Sequence, residues 1–327
     1  MKARLLQERD IRKSKWFEEV AEYFDIDTNL LKIAVPRKRL EPDDESPELK
    51  AAREIIRKKF MSLQARQIHD KILSEHPVNI TDFERSTSWK DYIFVCINGE
   101  RSCFQRMFFY DQIINCIVKP MLEAKGHIVV MDYGCGSSLF TRLLSQDFRG
   151  KVHTISADIC KYAVDFSITR NKRYNPNAYG LLIEDVMATP ELENIDIILA
   201  YAVFEHLPNS THQIQTLIDS LSPGGILIEN YSGHSSQEPH KSDTFDSYKK
   251  RDKNLDILSQ KLSLLYGILP QKRNGVYNRD KGDRFWIKGK ADSQLAAQIR
   301  RKLAKSDSLF SKVCKVFNKT LCNRRYF

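Results

Sequence analysis

The chain has 327 residues, 42% hydrophobic and 29% charged, a balance suited to a folded protein with a sizeable core. No apolar run approaches the roughly 18 residues of a membrane span, residues 1–16 lack the apolar centre of a signal peptide, and the seven cysteines show no metal-ligand spacing. The formal net charge of +10 is uneven, because residues 241–327 carry 22 Lys+Arg against 8 Asp and no Glu, a balance of +14 that leaves −4 for the rest.

In chain order, Leu5, Ile11, Trp16, Phe17, Val20 and Phe24 recur at spacings that predict an amphipathic helix over 1–24. Residues 36–47 are charged, carry three prolines and predict a loop. A second helix is expected from Ser46, as N-cap, to Leu73, with Ile55, Ile56, Phe60, Leu63 and Ile68 inward. A third, over 101–123, holds Phe104, Phe108, Phe109 and Tyr110. From residue 127 the texture changes. Apolar runs at 127–134, 151–158, 179–185, 195–202 and 224–232 alternate with helical patterns, which predicts α/β architecture with a mostly parallel sheet. Two aromatic-rich runs flanking Asp280–Asp283 predict an antiparallel hairpin over 275–288. Residues 291–319 read as helix, with Leu295, Ile299, Leu303, Leu309, Val313 and Val316 on one side. The expected organisation is a helical N-terminal cap (1–90), a sheet domain (91–290) and a basic C-terminal helical extension (291–327).

Ligands of an open parallel sheet bind beyond the carboxyl ends of its strands, so the residue closing each run matters most. The first run ends in Asp132 and the turn Gly134-Cys135-Gly136, where glycines let backbone N–H groups approach a ligand. The second ends in Asp158, followed by Ile159; a carboxylate there can accept both hydrogen bonds of a ribose diol. The third ends in Glu184-Asp185 and the fourth in Tyr201, ahead of Val203-Phe204-Glu205-His206-Leu207. Acidic or polar groups at all four ends point to a nucleoside. Leu139 is too large for the third small position of a dinucleotide turn, and Asp132 would repel a pyrophosphate while suiting an ammonium or sulfonium group. Cys135 is read as structural, since a neighbouring carboxylate disfavours the thiolate.

These motifs, with the turn Leu221–Gly225 before the fifth strand, resemble the class I S-adenosylmethionine-dependent methyltransferases. The resemblance covers 127–230, extends through the hairpin to about 289, and implies a Rossmann-like, doubly wound fold. Asp132-Tyr133-Gly134-Cys135-Gly136-Ser137-Ser138 matches the family's first motif, with Ser138 in place of its last glycine. Asp158 matches the acidic residue implied to contact the ribose hydroxyls, and Asp185, with Val186 beside it, the one implied to contact the adenine amino group. Val203–Leu207 matches the V-x-E-H-L run of small-molecule methyltransferases. The implied co-substrate is S-adenosyl-L-methionine.

Methyl transfer from a sulfonium is an in-line displacement, served mainly by alignment and, for a protonated nucleophile, by a base. His206, with Glu205, is the first candidate for base or acceptor ligand; capping the loop is its alternative role. The polar segment 231–241 offers Tyr231, His234 and His240 over the same face, or is a solvated loop. Although His234, Glu238 and His240 are ligand types, they lack helical spacing, and no metal is expected. Arg106 and Tyr110, ahead of the first strand, are candidates for the acceptor wall, against a core role for aromatics at helical spacing.

The expected acceptor is a small molecule or peptide natural product, methylated on O, N or C. RNA, tRNA or protein is the alternative, through the basic C-terminal region; nucleic acid is disfavoured because 200–204 lacks the N/D-P-P-Y/F motif and no RNA-binding module is evident. A non-catalytic S-adenosylmethionine-binding protein is a further alternative. The terminal helices are candidate contacts for a second copy or a partner, and a cytoplasmic location is expected.

Overall fold

The computed structural model describes residues 18–19, 21–22, 27–34, 46–61, 107–136, 138–158, 161–183, 192–204, 210–230, 247–268, 272–273, 276–277 and 282–316. Their centre is a seven-stranded sheet in the order β3-β2-β1-β4-β5-β9-β6. Its strands are β1 (Ile128–Tyr133), β2 (Val152–Asp158), β3 (Tyr179–Leu182), β4 (Ile195–Ala200), β5 (Leu221–Glu229), β6 (Ser263–Tyr266) and β9 (Arg284–Ile287). The first five pair in parallel, whereas β9 runs antiparallel to both β5 and β6. This is a Rossmann-like fold, and its strand order reverses between β1 and β4, where such sheets open a ligand crevice.

The apolar runs are strands because β-branched residues fit a sheet buried on both faces. Alternate side chains divide between two cores. Ile128, Val130, Ile197, Leu199, Ile226, Ile228, Phe285 and Ile287 face one layer, and Met131, Tyr133, Ile198, Ala200, Leu227 and Trp286 the other. The first layer is formed by α3 (Met107–Ile113), α4 (Lys119–Lys125), α5 (Leu139–Asp147) and α9 (Gln294–Val316), with α6 (Lys161–Lys172) packed beside α5. The second is formed by α7 (Ser210–Ser220) and α8 (Ser247–Lys261). A helical pair, α1 (Thr28–Ala34) and α2 (Pro47–Met61), precedes them.

Several expectations are refined. The antiparallel element is present, but β9 pairs with β5 and β6; residues 276–277 (β8) pair instead with 272–273 (β7) in a separate two-stranded ribbon. The reason is burial. Arg284–Ile287 is buried throughout and gains a partner on each side, which a two-stranded hairpin cannot offer. The third helix is continuous from 107 to 125 but widens into a π-helical segment over Ile114–Val118, which buries Ile114, Cys116, Ile117 and Val118. In α2, Ser46 caps as expected, its Oγ accepting from Leu49 N at 3.2 Å; among the side chains described there Leu49 and Ala52 are buried and Ile55 is 53% exposed. The bulge between β4 and β5 absorbs the expected turn, so β5 starts at Leu221. Leu5, Ile11, Trp16, Phe17, Val20, Phe24 and residues 62–73 lie outside the described residues.

One N-terminal side chain is bound to the sheet domain by charge. Glu19 is buried and accepts from Arg142 Nε (3.1 Å) and Nη2 (2.9 Å), Arg170 Nε (2.9 Å) and Tyr174 Oη (2.9 Å). Burial opposes its charge, yet the Arg142 hydrogen bond and the Arg170 and Arg142 charges overcome this and hold its carboxyl below the usual range. A depressed folded-state pKa stabilises above the unfolded value and loses that contribution as pH falls through the folded one. Glu19→Gln should therefore lower stability by about 1–3 kcal/mol at neutral pH. The wild-type advantage should vanish below the ordinary glutamate range, which melting curves of both proteins across pH would check.

Candidate active site

The turn after β1 combines left-handed backbone with ties to its neighbours. Gly134, Gly136 and Ser138 have φ of 79°, 49° and 61°, a region that side chains disfavour. The N–H groups of Gly134 and Cys135 both donate to the Ala157 carbonyl, at 2.7 and 2.9 Å, fastening the turn to the end of β2. Gly136 N–H donates to Asp158 Oδ2 at 2.9 Å. The carboxylate after β2 is thus oriented by the same turn, leaving an aimed acceptor at the strand ends.

The loop after β4 closes against this turn. A Cβ on Gly134 would stand 2.4 Å from Val203 Cγ2, so only glycine permits the approach. By contrast, a Cβ on Gly136 would meet nothing within 4 Å among the described residues, which leave open space beside its backbone. Ala202, also left-handed at φ 57°, donates its N–H to Asn230 Oδ1 at 2.6 Å. The ends of β1, β2, β4 and β5 are joined in this way around the crevice. Asp132 is buried at the end of β1, in register with Ser156 and Leu199. Tyr133 is buried as well; burial, and secondarily the Asp158 charge, push its phenol well above the ordinary range, so it stays protonated.

Of the sequence-predicted residues, Asp132, Gly134, Cys135, Gly136 and Asp158 are gathered at the ends of β1 and β2. Tyr201 opens the loop after β4, half-buried with its ring 4.9 Å from that of Phe109. Tyr110 packs in the core, its ring 5.3 Å from Phe140, so its ring serves packing. Arg106, Ile159, Glu184, Asp185, Val186, Glu205, His206, Tyr231, His234 and His240 lie outside the described residues.

Sequence reasoning missed three supports. Glu229, closing β5, is fully buried and accepts from Arg284 Nε (2.6 Å), Arg284 Nη2 (2.9 Å) and Trp286 Nε1 (2.9 Å). The signal was there, since a glutamate ends one buried apolar run and an arginine opens another. Asn230 and the hydroxyl cluster beneath Ser138 had no such signal, because short polar residues read as turn formers. Asp196 is different: bonded to Lys125 Nζ (2.5 Å), Val129 N–H (2.8 Å) and Ser222 Oγ (3.1 Å), it seals the opposite, amino-terminal end of the sheet.

A doubly wound sheet whose glycine turn meets a carboxylate at the next strand end defines a nucleoside-binding α/β domain. Residues 124–282 match a family model described as a methyltransferase domain. The matched segment, just under half of the chain, is similar to a methyltransferase domain. Malonyl-(acyl-carrier protein) O-methyltransferase from Bacillus cereus is 27% identical over 146 residues, 44% of this chain and 53% of that protein. The protein of that name from Halalkalibacterium halodurans is 29% identical over 145 residues, 42% of this chain and 49% of that protein. The chain thus spans about half the length of the curated relatives it matches. Among solved structures, magnesium protoporphyrin IX methyltransferase from Synechocystis PCC 6803 with bound SAH aligns over 72% of this chain and 99% of its own, at 14% identity and a TM-score of 0.39.

The described residues fit the co-substrate. Among the described residues the space over Gly136 is open where any other residue would place a Cβ, and Asp158 offers a fixed carboxylate beside it. Among the described residues no helix is long and apolar enough to cross a membrane.

Proposed function

We propose that the protein is an S-adenosylmethionine-dependent methyltransferase acting on a small-molecule acceptor. The observation that carries the reading is the turn at Gly134–Gly136, fastened to β2 and bonded to Asp158 beside open space. Asp158 would accept from the ribose diol, Asp185 and Val186 would recognise the adenine, and Asp132 would favour the cationic end. The co-substrate supplies the methyl group on a sulfonium, and the chain's part is alignment of the nucleophile. His206, with Glu205, follows β4 in the sequence and would stand on the methyl side, there to take the acceptor's proton or hold the acceptor; Tyr231, His234 and His240 would line the same face.

An oxygen acceptor is favoured by the two relatives, both named as O-methyltransferases. The +14 balance of residues 241–327 favours an anionic acceptor. Titration of S-adenosylhomocysteine into the wild type and into Asp158→Ala and Asp185→Ala tests the reading. Losing a charged hydrogen-bond acceptor should weaken affinity by roughly ten- to a hundredfold for Asp158→Ala, and in the same direction for Asp185→Ala. Unchanged affinity in both variants would overturn it. Turnover on carboxylic acids and acyl thioesters, set against RNA at varied salt, then separates the acceptor classes.

A further inference from the structure

Ser138 is a non-glycine residue in the left-handed region, completely buried, at the point where the turn enters α5. Backbone held in a disfavoured conformation persists only when its surroundings over-determine it. Here the surroundings are hydroxyls. Ser138 Oγ shares hydrogen bonds with Ser156 Oγ of β2 (2.9 Å), Ser167 Oγ of α6 (2.5 Å) and the Thr141 hydroxyl of α5. Thr141 Oγ1 also reaches the Ser138 carbonyl (3.2 Å) and Ser156 Oγ (3.1 Å). Asn171 Nδ2, from α6, donates to Thr141 Oγ1 (2.9 Å) and Ser167 Oγ (3.2 Å). All five side chains are buried.

We infer that Ser138, Thr141, Ser156, Ser167 and Asn171 are positioning residues for the co-substrate turn: the network pins residue 138 left-handed and so holds Gly134–Gly136, with the Asp158 carboxylate that the Gly136 N–H bonds, in their binding arrangement before the ligand arrives. Bonds from one hydroxyl to β2, α5 and α6 fix the turn against three elements at once. A glycine would adopt the same φ without strain but would leave the turn free to move, and that freedom would be lost on binding. The inference rests on the reading of this turn as the S-adenosylmethionine site.

The test is calorimetric binding of S-adenosylhomocysteine to the wild type, Ser138→Gly, Ser167→Ala and the double variant, with melting temperature recorded alongside. Ser138→Gly restores the glycine of the family motif, yet it should weaken affinity about tenfold, as the loss of pinning hydrogen bonds implies. Ser167→Ala should weaken it in the wild type and add little once Ser138 is glycine, because both act through one hydroxyl. Asp196→Asn, at the far end of the sheet, should lower the melting temperature and leave affinity unchanged. Wild-type affinity in Ser138→Gly, additive effects in the double variant, or an equal loss in Asp196→Asn would each overturn the inference while leaving the site reading intact. A wild-type chain that does not bind S-adenosylhomocysteine would overturn the site reading and the inference with it.

Discussion

Gly134→Ala should abolish most co-substrate binding while leaving the sheet folded. The added Cβ would lie 2.4 and 3.1 Å from the two Val203 methyl groups, so the turn or the loop after β4 must withdraw. A left-handed φ of 79° adds roughly 1–2 kcal/mol for an L side chain. Withdrawal pulls the Gly136 N–H off the Asp158 carboxylate and takes that carboxylate out of position, and losing the roughly two hydrogen bonds it would accept from the ligand's diol corresponds to about a hundredfold in S-adenosylhomocysteine affinity. Calorimetry reads this directly. A companion substitution, Val203→Ala, removes both methyl groups and should recover part of the loss, the remainder being the backbone cost. In the free protein Gly136→Ala should be milder, since its Cβ meets nothing within 4 Å among the described residues. Equal melting temperatures for the two alanine variants would contradict the steric account.

Glu229→Ala should cost about 3–5 kcal/mol of stability, because it leaves the Arg284 guanidinium buried without its carboxylate. Both side chains are essentially inaccessible, at 0% and 1% exposure, so the guanidinium left behind is shielded from bulk water. Trp286 Nε1–H also loses its acceptor. Replacing the pair together, Glu229→Leu with Arg284→Met, removes the stranded charge and should restore most of the stability. A deficit of about 1–3 kcal/mol should remain from the unsatisfied indole N–H. Denaturant unfolding of the two variants checks the order. Should the double variant prove as unstable as the single one, packing rather than the stranded charge would be responsible.

These two positions differ in what could be read from sequence. Gly134 stood out because a glycine pair after an acidic residue and an apolar run signals a ligand turn. The identity of its partner, Val203, depends on two loops 69 residues apart meeting at the strand-order reversal, and only the sheet decides that. Glu229 and Arg284 each looked like the polar end of a strand. They become a buried pair because β9 inserts antiparallel beside β5 and sets the two directly opposite. The same insertion explains why the expected hairpin over 275–288 took other partners: a fully buried strand finds more to bury between β5 and β6 than beside the two-residue strand β8.

Local periodicity was enough to place β1 to β4 and the turn at Gly134–Gly136, because parallel strands buried on both faces must be apolar and their ends must carry the polar chemistry. It also indicated the nucleoside class, through Asp132, Asp158 and the bulk of Leu139. Relations between distant segments were decided by the tertiary structure. Glu19 joins Arg142 and Arg170 across more than 120 residues, and Asn230 holds Ala202 from the next strand. Ser138, which in sequence is a small residue standing for glycine, becomes the centre of a buried network. A hydroxyl's value depends on which other hydroxyls folding brings within hydrogen-bond reach, and neither composition nor spacing along the chain carries that distance.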